Sequence, residues 1–268
     1  MKKSILLTIL CSSILFLSCS SDDENGNNGT NFEIPLNNNN YWTYDVDSEG
    51  TLSRDSLYIS GDVVFNTKTY KKFQTRDDVA TGFYSSSLRN NGVRKSDSKL
   101  LLSGDLSLAP GQNLPINLDL SLDDFVIFNS NASNNQALNS SAVTGTINET
   151  VNGYPLTINY SLQSYAGESF TTYTSPNGDS YSNVKSTKIK LNVSITSVIT
   201  VLGSPQTITV LTAQDVLVST QYLAEGIGVV YTNTVTSYNI NSFIAGEFGV
   251  PPTDTQTQEE FLDTYIIN

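Results

Sequence analysis

Histidine does not occur anywhere in this chain. Its absence removes the commonest general base at neutral pH, any Ser-His-Asp or Cys-His arrangement, and the commonest transition-metal ligand. Cysteine occurs only at Cys11 and Cys19, so the body of the chain has no thiol for catalysis, zinc or a disulfide. Basic residues are scarce as well, 14 Lys and Arg against 26 Asp and Glu. That balance offers no clustered basic face for nucleic acid and no attraction to anionic headgroups. Charged residues make up only 15% of the chain. Ser, Thr and Asn fill the polar positions, a composition that favours strands over helices. An enzyme built from these residues would work through carboxylates, Lys, Tyr or a calcium ion. No cofactor is expected, and no residue stands out as catalytic or as a metal ligand.

What is present begins with an address. Lys2 and Lys3 precede a mostly apolar run over residues 5–17, too short for the ~20 residues of a membrane-crossing helix. Charged start and short apolar core are the layout of a cleaved secretion signal. The run ends in Leu17-Ser18-Cys19, which resembles the lipobox of bacterial lipoproteins, with Phe16 where that family more often has Leu. The resemblance implies that residues 1–18 are removed and that the Cys19 sulfur carries diacylglycerol. The mature chain would then hold 12 basic and 26 acidic residues, a net charge of −14. Directly after Cys19, Ser20, Ser21, Asp22, Asp23 and Glu24 resemble the surface-export signal of Bacteroidota-type lipoproteins. Read plainly, the same acidic run is a solvated spacer. The resemblance implies an outer-membrane protein held by lipid and facing the cell exterior.

Residues 19–40 read as a lipidated, flexible tether, with Asn at 37–40 and only Phe32, Ile34 and Leu36 apolar towards its end. Those three alternate and leave room for a short strand at the domain's edge. Residues 41–268 read as a single antiparallel β domain. Strands are expected at 41–46, 57–59, 63–65, 70–73 and 100–102, with turns at Gly61-Asp62, at 66–68 and at 103–105, and a hairpin turn at Asn91-Gly92. Leu114, Ile116, Leu118, Leu120 and Leu122 share one face, and the apolar parity flips after Asp123-Asp124, which predicts a bulge or a break there. Residues 129–141 read as an exposed, mobile loop. Residues 143–151 and 154–162 form the clearest hairpin, around Asn152-Gly153. Pro176-Asn177-Gly178-Asp179 is a turn. The run 181–201 would reach ~70 Å if straight, so it must bend as strands do in a curled sheet. Gly203-Ser204-Pro205 reverses the chain, residues 235–240 form a further strand, and the C-terminal end reads as a closing strand or a short helical turn.

Trp42-Thr43-Tyr44 near the start and Tyr222-Leu223-Ala224-Glu225-Gly226-Ile227-Gly228-Val229 near the end resemble two motifs of uncharacterised secreted β-proteins and lipoproteins, W-x-Y and YxAxGxGxV. That resemblance implies a curled antiparallel sheet, an open or closed lipocalin-like barrel. Physically, Gly226 and Gly228 read as two positions on one strand face that let a ring or backbone approach. Trp42 and Tyr44 are the candidate ligand-binding residues, because flat aromatic faces suit sugars; packing in the core is the alternative. Asp45/Asp47, Asp77/Asp78, Asp123/Asp124 and Glu259/Glu260 are the carboxylate pairs, readable as solvated turns or as glycosidase pairs. Three functions remain open: a displayed module binding glycan or protein, a lipocalin-like carrier of an apolar ligand, and a carboxylate-based glycoside hydrolase.

Overall fold

The computed structural model describes residues 32–108, 118–201, 203–248 and 250–268. The leader, Cys19, Ser21, Asp22, Asp23, Glu24 and residues 25–31 of the expected tether lie outside them. The described strands are β1 Tyr41–Ser48, β2 Thr51–Phe65, β3 Lys68–Thr75, β4 Gly92–Ser96, β5 Lys99–Leu108, β6 Leu118–Asn129, β7 Val143–Val151, β8 Tyr154–Thr174, β9 Ser180–Val201, β10 Ser204–Ala224, β11 Gly228–Asn239 and β12 Thr253–Ile266. Two short helices interrupt them, α1 Phe83–Leu88 between β3 and β4 and α2 Ser242–Phe248 between β11 and β12.

The strands form one 12-stranded antiparallel sheet in the order β6-β5-β4-β3-β2-β1-β12-β11-β10-β9-β8-β7. Sequence neighbours pair except β6 and β7, which end the sheet, and the first strand also pairs with the last: Tyr41 lies opposite Ile266 and Ser48 opposite Gln258. The C-terminal segment is therefore the closing strand, and it joins the two halves of the meander. The sheet curls until it is nearly closed into a barrel. Alternate residues of each strand point inward, as period-2 side-chain geometry requires. Trp42, Tyr44 and Val46 of β1 thus join Ile189, Leu191, Val193 and Ile195 of β9 in the buried interior. β9 runs unbroken for 22 residues, and the curvature is taken up in β10, whose register against β9 slips between Thr209 and Leu211, Leu211 and Gln214, and Asp215 and Leu217.

Other expectations change with tertiary context. The Asn152-Gly153 hairpin and the turn at 176–179 form as expected. The predicted break at Asp123-Asp124 is a bulge: the β5 register slips between Leu102 and Gly104, and Asp124 takes a φ of 50°. Residues 114–117 lie outside the described residues. Gly61-Asp62 is not a turn, because β2 runs through it with a bulge between Ile59 and Gly61. Asn91-Gly92 is not a hairpin turn either. Gly92 begins β4 where a Cβ would stand 2.7 Å from Tyr70 Cβ, and Asn91 donates to Ser87 O and to Asp105 O while accepting from Asp105 N. The 222–229 stretch is a strand end, a turn and a strand start, with Ala224 opposite Gly228. Gly226 sits in the turn with open space around it, while the Gly228 Cβ position faces the Trp42 ring at 3.5 Å.

The last part of the expected tether, residues 32–40, packs on the sheet and is not free. Phe32 is buried against Phe128 at 5.4 Å between centroids, Glu33 O accepts from Gly226 N, and Asn39 N donates to Ile59 O. Enough apolar surface is present here to offset ordering, because Phe32, Ile34 and Leu36 meet a ready-made apolar barrel end.

The seam is closed by side chains. Ser164 and Thr187, on the inward faces of β8 and β9, donate to Val126 O and Ile127 O of β6. Asn139 accepts from Val126 N at 2.8 Å and donates to Val126 O at 3.1 Å, so one side-chain amide imitates a neighbouring strand. The 130–141 loop, mostly exposed as expected, is fastened rather than free. Leu138 N donates to Ser164 O, Asn135 N to Ala166 O, and Ala166 N to Gln136 O.

Candidate functional site

β3 and β4 pair only at Lys71–Val93 and Lys72–Gly92. Beyond that narrow neck the wall between the first half of β2 and the second half of β5 is filled by residues 76–91 instead of a strand. α1 is too short to persist alone, and its chain carries no apolar periodicity beyond one buried face of Phe83, Tyr84 and Leu88. What holds it is a row of inward-facing acceptors from the flanking strands.

Asp55 of β2 accepts from Thr81 N at 2.9 and 3.0 Å, from Gly82 N at 2.8 Å and from the Thr81 hydroxyl at 2.9 Å. Gln258 of β12 accepts from Phe83 N at 2.7 Å. Glu260 accepts from Tyr84 N at 2.6 Å, from Ser85 N at 3.3 Å and from the Ser85 hydroxyl at 3.1 Å. The five consecutive amides from Thr81 to Ser85, orphans at a helix start, are all satisfied. Asp55 and Glu260 are fully enclosed, at 1% and 0% exposure. Burial pushes the Glu260 carboxyl up to about 7, against the pull of its hydrogen bonds. Burial likewise raises the Tyr44 and Tyr84 hydroxyls, whose rings meet edge to face at 5.6 Å beside it. Opposite Glu260 on β11 stands Thr232, whose hydroxyl is buried without a partner among the described residues.

Alongside this pinned segment lies a cleft of about 680 Å³. Its lining is polar and mostly neutral: hydroxyls of Ser48, Thr51, Ser53, Thr81 and Ser86, and amides of Asn90, Asn91 and Gln258. Arg89 and Asp105 supply one charge of each sign, and Phe65 supplies one aromatic ring. Part of this polar set is internally braced, with Gln258 donating to Ser48 Oγ at 2.9 Å and to Thr81 O at 3.1 Å, and Ser53 and Thr81 hydroxyls 2.7 Å apart. The volume falls within the ~300–1,000 Å³ of small-ligand sites. The barrel interior, by contrast, is packed with buried apolar side chains. An apolar pocket under Ile34, Pro35 and Leu36 measures about 30 Å³ and another beside Phe83 about 10 Å³.

The two candidate ligand-binding aromatics are core pillars. Trp42 is 4% exposed and Tyr44 1%. Trp42 Nε1 donates to Ile227 O at 2.7 Å and Tyr44 OH to Val229 O at 2.9 Å, so the two sequence motifs meet and lock each other. The carboxylate pairs are split by strand alternation or spent locally. Glu260 turns inward while Glu259 turns outward to the Tyr231 hydroxyl. Asp124 takes both arms of Arg94 at 2.7 Å, with Tyr70 OH at 2.6 Å and Lys68 beside them, and the Arg94 hydrogen bonds hold it well below the usual carboxylate range. Asp45 pairs with Arg54 and Asp47 accepts from Gly50 N. No group of three or more Asp or Glu able to hold a metal occurs among the described residues. Sequence reading gave no such role to Asp55 or Gln258 and took Glu260 only as half of the Glu259/Glu260 pair; polar residues at inward strand positions were the available signal. Family models, curated proteins and solved structures provide no match to the chain.

Proposed function

We propose that this chain is a lipid-anchored module that binds a hydrophilic, neutral ligand, a glycan, in the cleft beside α1. The cleft carries the reading: its size suits a small saccharide, and its hydroxyl and amide lining matches a ligand rich in hydroxyls. The pinned backbone of residues 81–85 keeps one wall in place before a ligand arrives, which lowers the ordering cost of binding. Anchoring rests on the lipobox resemblance at Cys19, and outward display on that at Ser21, Asp22, Asp23 and Glu24. β1 rises ~3.3 Å per residue, so Ser48 at the cleft stands ~23 Å along the strand from Tyr41, where the tethering segment joins the sheet. A carrier of apolar ligands is disfavoured by the filled interior. A glycoside hydrolase is disfavoured because Asp55 and Glu260 are enclosed and already saturated with donors.

The test is a glycan array probed with the full chain, repeated with Ser86→Trp to fill the cleft. Binding that disappears with Ser86→Trp supports the reading; binding that persists unchanged places the ligand elsewhere. Cys19→Ser should release the protein from the membrane fraction in detergent partitioning, and retention would refute the anchor.

A further inference from the structure

The two ends of the sheet are treated differently. The edge of β6 is capped by Asn139, Ser164 and Thr187, and the lower edge of β8 by the 135–138 segment. Among the described residues β7 pairs with β8 alone. Val151 and Tyr154 close a two-residue turn with Asn152 and Gly153 both left-handed, at φ 49° and 83°, so they are a hydrogen-bonded pair. Bonded pairs then alternate along the ladder. Residues 143, 145, 147, 149 and 151 bond to β8, and Thr144, Thr146, Asn148 and Thr150 aim their N–H and C=O groups at the open edge. The position of Pro155 opposite Thr150 agrees, since that pair needs no proline N–H. No Lys, Arg or Pro guards this nine-residue edge, where exposed edges are ordinarily blunted.

The strand is close to its own mirror partner. Read about Ile147, Val143 is identical to Val151 and Thr144 to Thr150, while Thr146 faces Asn148, another small polar residue. Gly145 and Glu149 differ most, and that difference is the favourable one: the strand's single charge would face a glycine and not its own copy. We infer that β7 is a homodimerisation edge, pairing antiparallel with β7 of a second copy across a two-fold axis at Ile147. Such a contact is isologous, the form symmetric dimers require. Four outward residues on each copy then satisfy one another's backbone groups, and Val143, Ile147 and Val151, half-buried against the core, meet their counterparts on the inward face. The ladder gives affinity through main-chain bonds, as in other edge additions.

The test uses the full chain in its membrane. Ile147→Cys should give a disulfide-linked dimer under mild oxidation, at least tenfold above the parent chain and above Val64→Cys, an exposed position on β2. Adding Thr146→Pro removes an outward N–H while leaving the β8 ladder intact, and should return cross-linking to the parent level with an unchanged circular dichroism spectrum. Should Ile147→Cys fold poorly, Thr144→Cys combined with Thr150→Cys, both exposed, gives the same readout. Cross-linking no greater than at Val64→Cys, or insensitive to Thr146→Pro, overturns the inference. A cross-link to another membrane protein without the homodimer would give the edge to a different strand and overturn it equally.

Discussion

Glu260→Gln isolates a buried acid whose protonation the fold shifts into the neutral range. In the native state burial holds Glu260 near 7, and unfolding returns it to the ordinary carboxylate range near 4.5. Below about pH 4.5 both states are protonated and the group is silent. Between there and 7 the native state binds the extra proton, so stability falls as pH rises, by up to ~1.4 kcal/mol per unit. Integrating the two titrations, the cost grows by about 2.5 kcal/mol from pH 5 to pH 8. Gln cannot ionise, so the variant should lack this slope. It keeps one acceptor oxygen where the carboxyl uses Oε1 for Tyr84 N and Oε2 for Ser85 N, a loss that offsets the curve without giving it a slope. Urea unfolding midpoints of both proteins at pH 5, 6, 7 and 8, with equal m-values, read the difference directly. Stability curves that stay parallel across that range would refute the reasoning, because they would show the buried carboxyl titrating as it does in water.

Three further outcomes follow from the geometry. Asp55→Ala leaves the Thr81 and Gly82 amides without their buried acceptor and should cost about 3–5 kcal/mol in urea unfolding; Asp55→Asn, retaining one oxygen, should cost less. Arg94→Met strips Asp124 of its two strongest donors. Because Asp124 is depressed in the native state, its stabilisation is full above the ordinary Asp range and fades as pH falls. The variant should therefore lose about 2 kcal/mol at pH 7, and the gap to wild type should narrow towards pH 2. Asn139→Ala uncaps the β6 edge and should speed hydrogen exchange of the Val126 amide about ten- to a hundredfold, corresponding to ~1.5–3 kcal/mol locally, with far less change at Leu191 in the core.

The fold was legible where one face is buried and the other is wet. Alternation at Leu118, Leu120 and Leu122 and at Leu156, Ile158 and Leu162 marks strands because every inward residue there is apolar. Asn152-Gly153 marks its turn because both residues accept positive φ. β12 was legible only as one of two alternatives, a closing strand or a short helical turn, and the reason is local to the site. Its inward positions include Gln256, Gln258 and Glu260, polar because the space they face holds backbone amides and not apolar side chains. Asn91-Gly92 misled for a related reason: its glycine serves close packing against Tyr70 and Phe65, which no dipeptide pattern announces.

By itself the sequence determined the chemistry available and the architecture. A chain without histidine, with two cysteines near its start and a polar, β-branched body, folds as a curled antiparallel sheet because each such statement depends only on residue type and on neighbours one or two positions away. Tertiary structure alone decided where function can reside. It buried Trp42 and Tyr44, parted Glu259 from Glu260, and brought Asp55, 27 residues before Gly82, and Glu260, 176 residues after Tyr84, onto one short helix start. It also left β7 as the open edge. Those outcomes depend on which strand pairs with the last one, and on how far the sheet curls before its seam meets.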